Sequence, residues 1–202
     1  IAVGEDGPTH QPVEHVASLR CIPGMTVIRP ADAAETVEAW KTALTSAVPV
    51  SLILSRQNLP ILDRKRYPSA ENLKKGAYVL SDFNGKPPEI ILIATGSEVQ
   101  LAIAAGDRLA EQGIAVRVVN MPSWELFEKS SQEYKNSVLL PNVKARLAIE
   151  AGISMGWDRY VGDKGAVIGM NGFGASAPGN IVMQKFGFTV ENVVNKAIEL
   201  LK

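Results

Sequence analysis

The residues able to do chemistry sit at the front of the chain. Only two histidines occur, His10 and His15. His10 lies in Gly4-Glu5-Asp6-Gly7-Pro8-Thr9-His10-Gln11-Pro12, a loop shaped by Gly and Pro that runs into a helix N-terminus. Free N–H groups and the positive end of the dipole favour a neutral imidazole there, or one that donates to a developing oxyanion. The alternative is a solvated loop histidine. Asp6 in the same loop is able to accept a hydrogen bond from a substrate hydroxyl, or simply to cap the coming turn. Arg56 follows an apolar strand, where ligands of open α/β sheets bind, and its planar fork suits phosphate. A salt bridge to a neighbouring loop is the other use for it. His15, five residues beyond His10, cannot share its face closely and reads as structural.

Other motifs are weaker. Thr95-Gly96-Ser97-Glu98 joins a strand to a helix and offers an anion site at the helix start, but Ser97 or Thr95 more simply caps that helix. It lacks the Gly-Lys-Ser/Thr of a P-loop. Gly169, Gly172 and Gly174 are spaced after a strand without a matching acidic partner downstream, which argues against a dinucleotide site. No Cys/His cluster has metal spacing. Trp40, Trp124 and Trp157 read as core or interface residues.

The elements that must position these groups alternate between strand and helix. Pro12 opens a helix reaching Arg20, and Thr26-Val27-Ile28-Arg29 is a strand. Asp32 and Glu35 resemble a capping box for a helix ending near Thr45, and Val50–Leu54 is a buried-type strand. A charged, turn-rich stretch from Asp63 to Asn72 reads as a solvated linker. Beyond Gly76, strands Ala77–Leu80 and Glu89–Ala94 flank Asn84-Gly85, a hairpin signal because both turn positions favour positive φ. A helix Val99–Gln112, strands Ala115–Asn120, Ala145–Ile149 and Ala166–Gly169, and helices Pro178–Phe186 and Val190–Leu201 follow, the last capped by Thr189. This alternation predicts an α/β fold of two three-layer α/β/α units with mainly parallel sheets, the second carrying one antiparallel edge strand.

Composition excludes several classes. Hydrophobic residues make up 46% and charged residues 21% of 202, ordinary for a globular protein. Lys+Arg and Asp+Glu are 21 each, leaving no excess positive charge for nucleic acid. A single cysteine, Cys21, allows no intrachain disulfide. No apolar run approaches the roughly 20 residues of a membrane span. The chain begins at Ile1 in a strand-like stub, without Met or a signal pattern, and reads as the C-terminal part of a longer protein.

Five segments together resemble the transketolase family across essentially the whole chain: Gly4–Pro12, Ala17-Ser18-Leu19-Arg20, Leu54-Ser55-Arg56-Gln57-Asn58-Leu59, Ile93–Val99, and Phe186–Val194. The first and third are the most specific in combination. Deoxyxylulose-phosphate synthase is similar only around Gly7–Gln11, whereas dihydroxyacetone synthase shares more and is separated less well. The resemblance implies that residues 1–66 are the second half of a pyrimidine-binding domain, 67–75 a linker, and 76–202 the C-terminal domain. It implies a cytoplasmic homodimer that uses thiamine diphosphate with Mg²⁺ or Ca²⁺ and moves a two-carbon ketol unit from a ketose phosphate to an aldose phosphate. On the same ground His10 acts at the reacting carbon, Asp6 holds a sugar hydroxyl and Arg56 grips the substrate phosphate. The glutamate that activates the pyrimidine ring has no match here. Glu5 and Glu150 do not fit its motif, so the chain alone is expected to be inactive and to bind no cofactor. A non-catalytic dimerisation or anion-binding module is the alternative.

Overall fold

A computed structural model describes all residues, Ile1 to Lys202. Its larger unit is a five-stranded sheet with helices on both faces. Strands β3 (Tyr78–Phe83), β4 (Ile90–Ala94), β5 (Val116–Asn120), β6 (Arg146–Ile153) and β7 (Ala166–Met170) lie in the order β3-β5-β4-β6-β7. All neighbours are parallel except β3 and β5. The smaller unit pairs β1 (Thr26–Ile28) in parallel with β2 (Val50–Leu52). The architecture is therefore α/β with mainly parallel sheets and one antiparallel edge strand.

Strand β4 explains the layering. Its five residues are all buried, so it needs cover on both faces. Ile90, Leu92 and Ala94 face one core with Val99, Ala102 and Leu109 of helix α3 (Glu98–Glu111) and Val193 and Ala197 of the C-terminal helix α7 (Val190–Leu200). Ile91 and Ile93 face the other core, with Trp124, Phe127, Trp157 and Tyr160. These aromatics belong to or adjoin the short helices α4 (Trp124–Glu128) and α6 (Asp158–Val161), beside α5 (Gln132–Val138). Trp124 and Trp157 meet edge to face at 5.0 Å. Trp40, by contrast, is half exposed on helix α2 (Ala33–Thr45).

Several expectations change. Asn84 and Gly85 do adopt positive φ, 71° and 59°, but no hairpin joins β3 to β4. β5 lies between them. The wholly apolar β4 takes parallel partners on both sides, whereas β3 alternates in burial and suits an edge. The Asn84 amide instead donates to the carbonyls of Ala110 and Ile114, at the end of α3. Helix α1 spans only His15–Arg20, not from Pro12, because the buried Val13 gives its carbonyl to the N–H of Ile153. Ile1–Val3 forms a turn rather than a strand.

The stretch read as a solvated linker is packed. Tyr67 and Leu73 are buried, Ala70–Lys75 forms a 3₁₀ helix, and Arg64 pairs with Asp32 at 2.7 Å. Asp32 also caps α2 by accepting from Glu35 N–H, and accepts from Leu62 N–H. Glu35 reaches back to Ala31 N–H, one residue beyond the N-cap N–H that a capping box would use. Its other oxygen accepts from Tyr78 OH and Asn120 Nδ2, joining α2 to the larger sheet.

A second junction is ionic. Glu150 of β6 receives both terminal nitrogens of Arg20 at 2.8 and 2.9 Å, Arg29 at 2.7 Å and the Trp157 indole N–H at 2.7 Å. Arg29 also pairs with Glu98 at 3.0 Å. Arg20 stacks 3.9 Å from the Trp124 ring centre. Burial alone would push the Glu150 carboxyl up, but the Arg20 and Arg29 guanidiniums and these hydrogen bonds hold it at about 2.

Two outcomes are expected. Gly76 has φ +80°, and a Cβ there would stand 2.0 Å from Phe127 N. Gly76→Ala should therefore cost about 3 kcal/mol or more, read as a lowered urea midpoint; an unchanged midpoint would mean that α4 yields freely. Glu150→Gln leaves buried guanidinium charge uncompensated and should cost about 3–5 kcal/mol. Because Glu150 binds its proton less readily folded than unfolded, its stabilisation is complete above its ordinary value of 4.5 and lost as pH falls toward about 2. The stability gap between wild type and Glu150→Gln should thus close over that window. A gap independent of pH would show that the carboxylate charge contributes nothing.

Candidate active site

The loop carrying His10 is two consecutive 3₁₀ turns, Gly4–Asp6 and Pro8–His10, hinged at Gly7 with φ +77°. Gly7 N–H donates to Gly4 O and His10 N–H to Gly7 O. Its anchor is Gln11, which is buried. The Gln11 amide donates to Gly4 O and Ala175 O and accepts from Ala175 N–H, at 2.9, 3.0 and 3.1 Å. Ser176 Oγ donates to Glu5 O at 2.6 Å. One of the spaced glycines has a use here: a Cβ at Gly174 would overlap Gln11 Oε1 at 1.7 Å. The glycine admits the anchor of the histidine loop.

His10 is exposed, and Thr9 Oγ1 shares a hydrogen bond with its Nδ1 at 3.0 Å. Its ring faces a cleft of about 210 Å³ between the two units. Arg56, exposed four residues past β2, lines the same cleft, with Ser55, Gln57, Arg29 and Ser97. An imidazole and an uncommitted guanidinium therefore share one opening, and Arg56 makes no ion pair within the chain. Asp6 is exposed but does not line this cleft; it closes the first turn, and Gly7 redirects the chain before the turn that carries His10. His15 is exposed at the start of α1 and also lies outside it.

Neither Ser97 nor Thr95 caps α3. Ser97 has helical φ, and its hydroxyl donates to the Glu98 carboxylate instead. Thr95 is buried with its hydroxyl unpartnered. The anion position at this helix start is taken by Glu98 itself, whose other oxygen accepts from Ala151 N–H and pairs with Arg29. Sequence reasoning missed Arg29, which forms the floor of the cleft and packs on Gly96, where a Cβ would stand 3.1 Å from its Cζ. Coulombic and hydrogen-bonding support from Glu98 and Glu150 outweighs burial and keeps Arg29 charged, its pKa raised. No spacing rule links Arg29 to Glu98 or Glu150; only the tertiary fold does.

Glu150 has no oxygen left for acid–base work, since Arg20, Arg29 and Trp157 occupy both. No three His, Cys, Asp or Glu side chains of this chain converge as a metal site. No helix is long and apolar enough to cross a membrane.

Comparison with known proteins locates both units. Residues 76–189 match the family model described as the transketolase-like TK C-terminal domain, and residues 1–61 match the transketolase pyrimidine-binding domain. The chain is 53% identical, over 202 residues, to transketolase of Geobacillus stearothermophilus, and 55% identical, over 203, to that of Halalkalibacterium halodurans. Each alignment covers 100% of this chain and 30% of the relative. Among solved structures, transketolase from Leishmania mexicana superposes with a TM-score of 0.91 at 45% identity, over 100% of this chain and 29% of that one. The chain thus spans about 30% of the length of its curated relatives, and it belongs to the transketolase family.

Proposed function

We propose that this chain is the substrate-gripping and C-terminal part of a transketolase that passes a two-carbon ketol unit from a ketose phosphate to an aldose phosphate in the cytoplasm. Residues 1–66 would complete the pyrimidine-binding domain, 67–75 join it to the next, and 76–202 form the C-terminal domain. The observation that carries the reading is the single cleft shared by His10 and Arg56. Thiamine diphosphate with Mg²⁺ or Ca²⁺ would supply the carbanion chemistry in the parent homodimer. The side chains present do not fit the diphosphate–metal group: no acidic or imidazole trio converges, and Glu150 is consumed by two guanidiniums. That group would be held by residues outside this chain.

The residues present have the remaining roles. Arg56 would take the substrate phosphate through paired N–H donors, fixing the far end of the sugar. Binding energy spent there holds the reacting carbon in register near His10. His10 would donate to the oxygen on which charge develops, or relay its proton, with Thr9 orienting the ring through Nδ1. Asp6, outside the cleft lining, would meet a sugar hydroxyl at its outer rim.

The test is a transfer assay on the intact protein with thiamine diphosphate, Mg²⁺, xylulose 5-phosphate and ribose 5-phosphate. Two-carbon transfer is expected. His10→Ala should lower kcat by about 10²–10⁴-fold without a matching loss of stability. Arg56→Ala should raise KM for phosphorylated substrates about 10–100-fold, the value of one or two charged hydrogen bonds, and leave KM for a donor without phosphate unchanged. Equal losses on both donors would remove Arg56 from the phosphate role, and unchanged kcat would remove His10 from the chemistry.

A further inference from the structure

The larger unit has a second opening, at the opposite end of its sheet from the His10 cleft. The His10 cleft is lined by Ser97 and Glu98, which follow β4, and by Ala151 late in β6. The second lies where β6 begins, at Arg146, walled by α5, the loop before β6, and α6. Its volume is about 330 Å³, within the range of small-molecule sites. Only three of its eleven lining residues are hydrophobic, so it does not suit an apolar occupant.

Its charge is lopsided. Lys135, Lys144, Arg146 and Arg159 face one carboxylate, Glu128, on a chain whose net charge is zero. Glu128 is already engaged by Lys135 at 3.0 Å and by Tyr160 OH at 3.1 Å. Lys144, Arg146 and Arg159 make no ion pair within the chain.

Arg146 is the unusual member. Its guanidinium is half-buried, yet every acceptor it meets is a neutral carbonyl: Val143 O at 3.0 Å, Tyr160 O at 2.9 Å, Leu139 O at 2.8 Å and Leu140 O at 3.0 Å. These bonds use four of its five N–H groups and clamp two backbone segments, 139–143 and Tyr160, around the opening. Burial pulls its pKa down, since no carboxylate compensates the charge. A desolvated cation without a counter-ion is costly, and an anion in the opening relieves that cost. Lys144 and Arg159 are exposed, Arg159 lying 5.9 Å from the Tyr160 ring centre, and both can swing to close on such an anion.

We propose that this opening is an anion site in which Lys144, Arg146 and Arg159 hold the phosphoryl group of a small polar molecule. Arg146 supplies a fixed positive field, and Lys144 and Arg159 supply the movable donors. The side chains of Gln132 and Asn136 on α5 line the same opening and would meet hydroxyls on the rest of the molecule. The site is separate from the phosphate grip proposed for Arg56, and stands or falls independently of it.

Calorimetric titration of the intact protein tests it, with Arg56→Ala as the background so that the first cleft contributes no phosphate binding. Inorganic phosphate and glycerol 3-phosphate are the probes. Saturable binding is expected, weakened about tenfold or more in the further double variant Lys144→Ala/Arg159→Ala, as the loss of charged hydrogen bonds requires. Both side chains are exposed, so near-ultraviolet circular dichroism should show the same fold. Tighter binding of glycerol 3-phosphate than of phosphate would support a phosphorylated metabolite as the ligand; equal binding would support free phosphate. Absence of saturation in the Arg56→Ala background, or equal affinity with and without Lys144 and Arg159, would overturn the proposal.

Discussion

The structure depends on four charges that have left water together. Arg20 and Arg29 come from the smaller unit, Glu98 and Glu150 from the larger, and the two signs balance. An ion pair at this depth adds little over well-packed apolar groups, because desolvation offsets most of the attraction. What it adds is geometry. Misdocking the units by an ångström or two would strand a buried guanidinium, a larger penalty than misplacing a leucine. The bidentate Arg20–Glu150 contact, the indole N–H of Trp157 and the Trp124 face over Arg20 leave that cluster one satisfactory arrangement.

That constraint reaches the cleft directly. Arg29 and Glu98 are members of the ionic cluster and also lining residues of the opening that holds His10 and Arg56. The His10 loop has little regular structure of its own, but Gln11 and Ser176 fix it to the segment after β7. On the other side of the smaller unit, Glu35 is shared by Ala31, Tyr78 and Asn120, and Asp32 by Arg64 and Leu62. Two polar junctions therefore hold α2 and β1 against the large sheet. A histidine and an arginine on exposed loops gain fixed relative positions from buried groups beneath and behind the cleft.

Legibility from sequence followed the range of each interaction. The central strand β4 is readable because burial on both faces forces a continuous apolar run, and the caps at Asp32 and Thr189 because capping is local. His10 and Arg56 stand out by residue type and by the elements beside them; the roles proposed for them rest on family resemblance. The neighbour of β3 was not readable: Asn84-Gly85 specifies a turn, while strand order is decided by which strand must be covered on both sides. The stretch around Arg64 looked solvated because its charges are visible and its partner, Asp32, is thirty-two positions away. Helices α4 and α5 were missed although Ser123 and Ser131 cap them, because each is too short to show a helical period. Arg29 carries no signal at all until Glu98 and Glu150 surround it.

The two ends of the large sheet illustrate what a parallel α/β unit does with cations. At the carboxyl end of the strands, the cation nearest the sheet, Arg29, is matched by two carboxylates, so the cation left free for a ligand is Arg56, on a loop of the other unit. At the amino end, Arg146 is matched by carbonyl dipoles alone and its charge stays uncompensated. Carbonyls can orient a guanidinium as firmly as carboxylates, but they do not cancel its field. The same side-chain type thus serves as a neutralised strut at one end of β6 and as a standing positive potential at the other. The difference is set by whether the fold delivers an acid or a backbone turn to meet it.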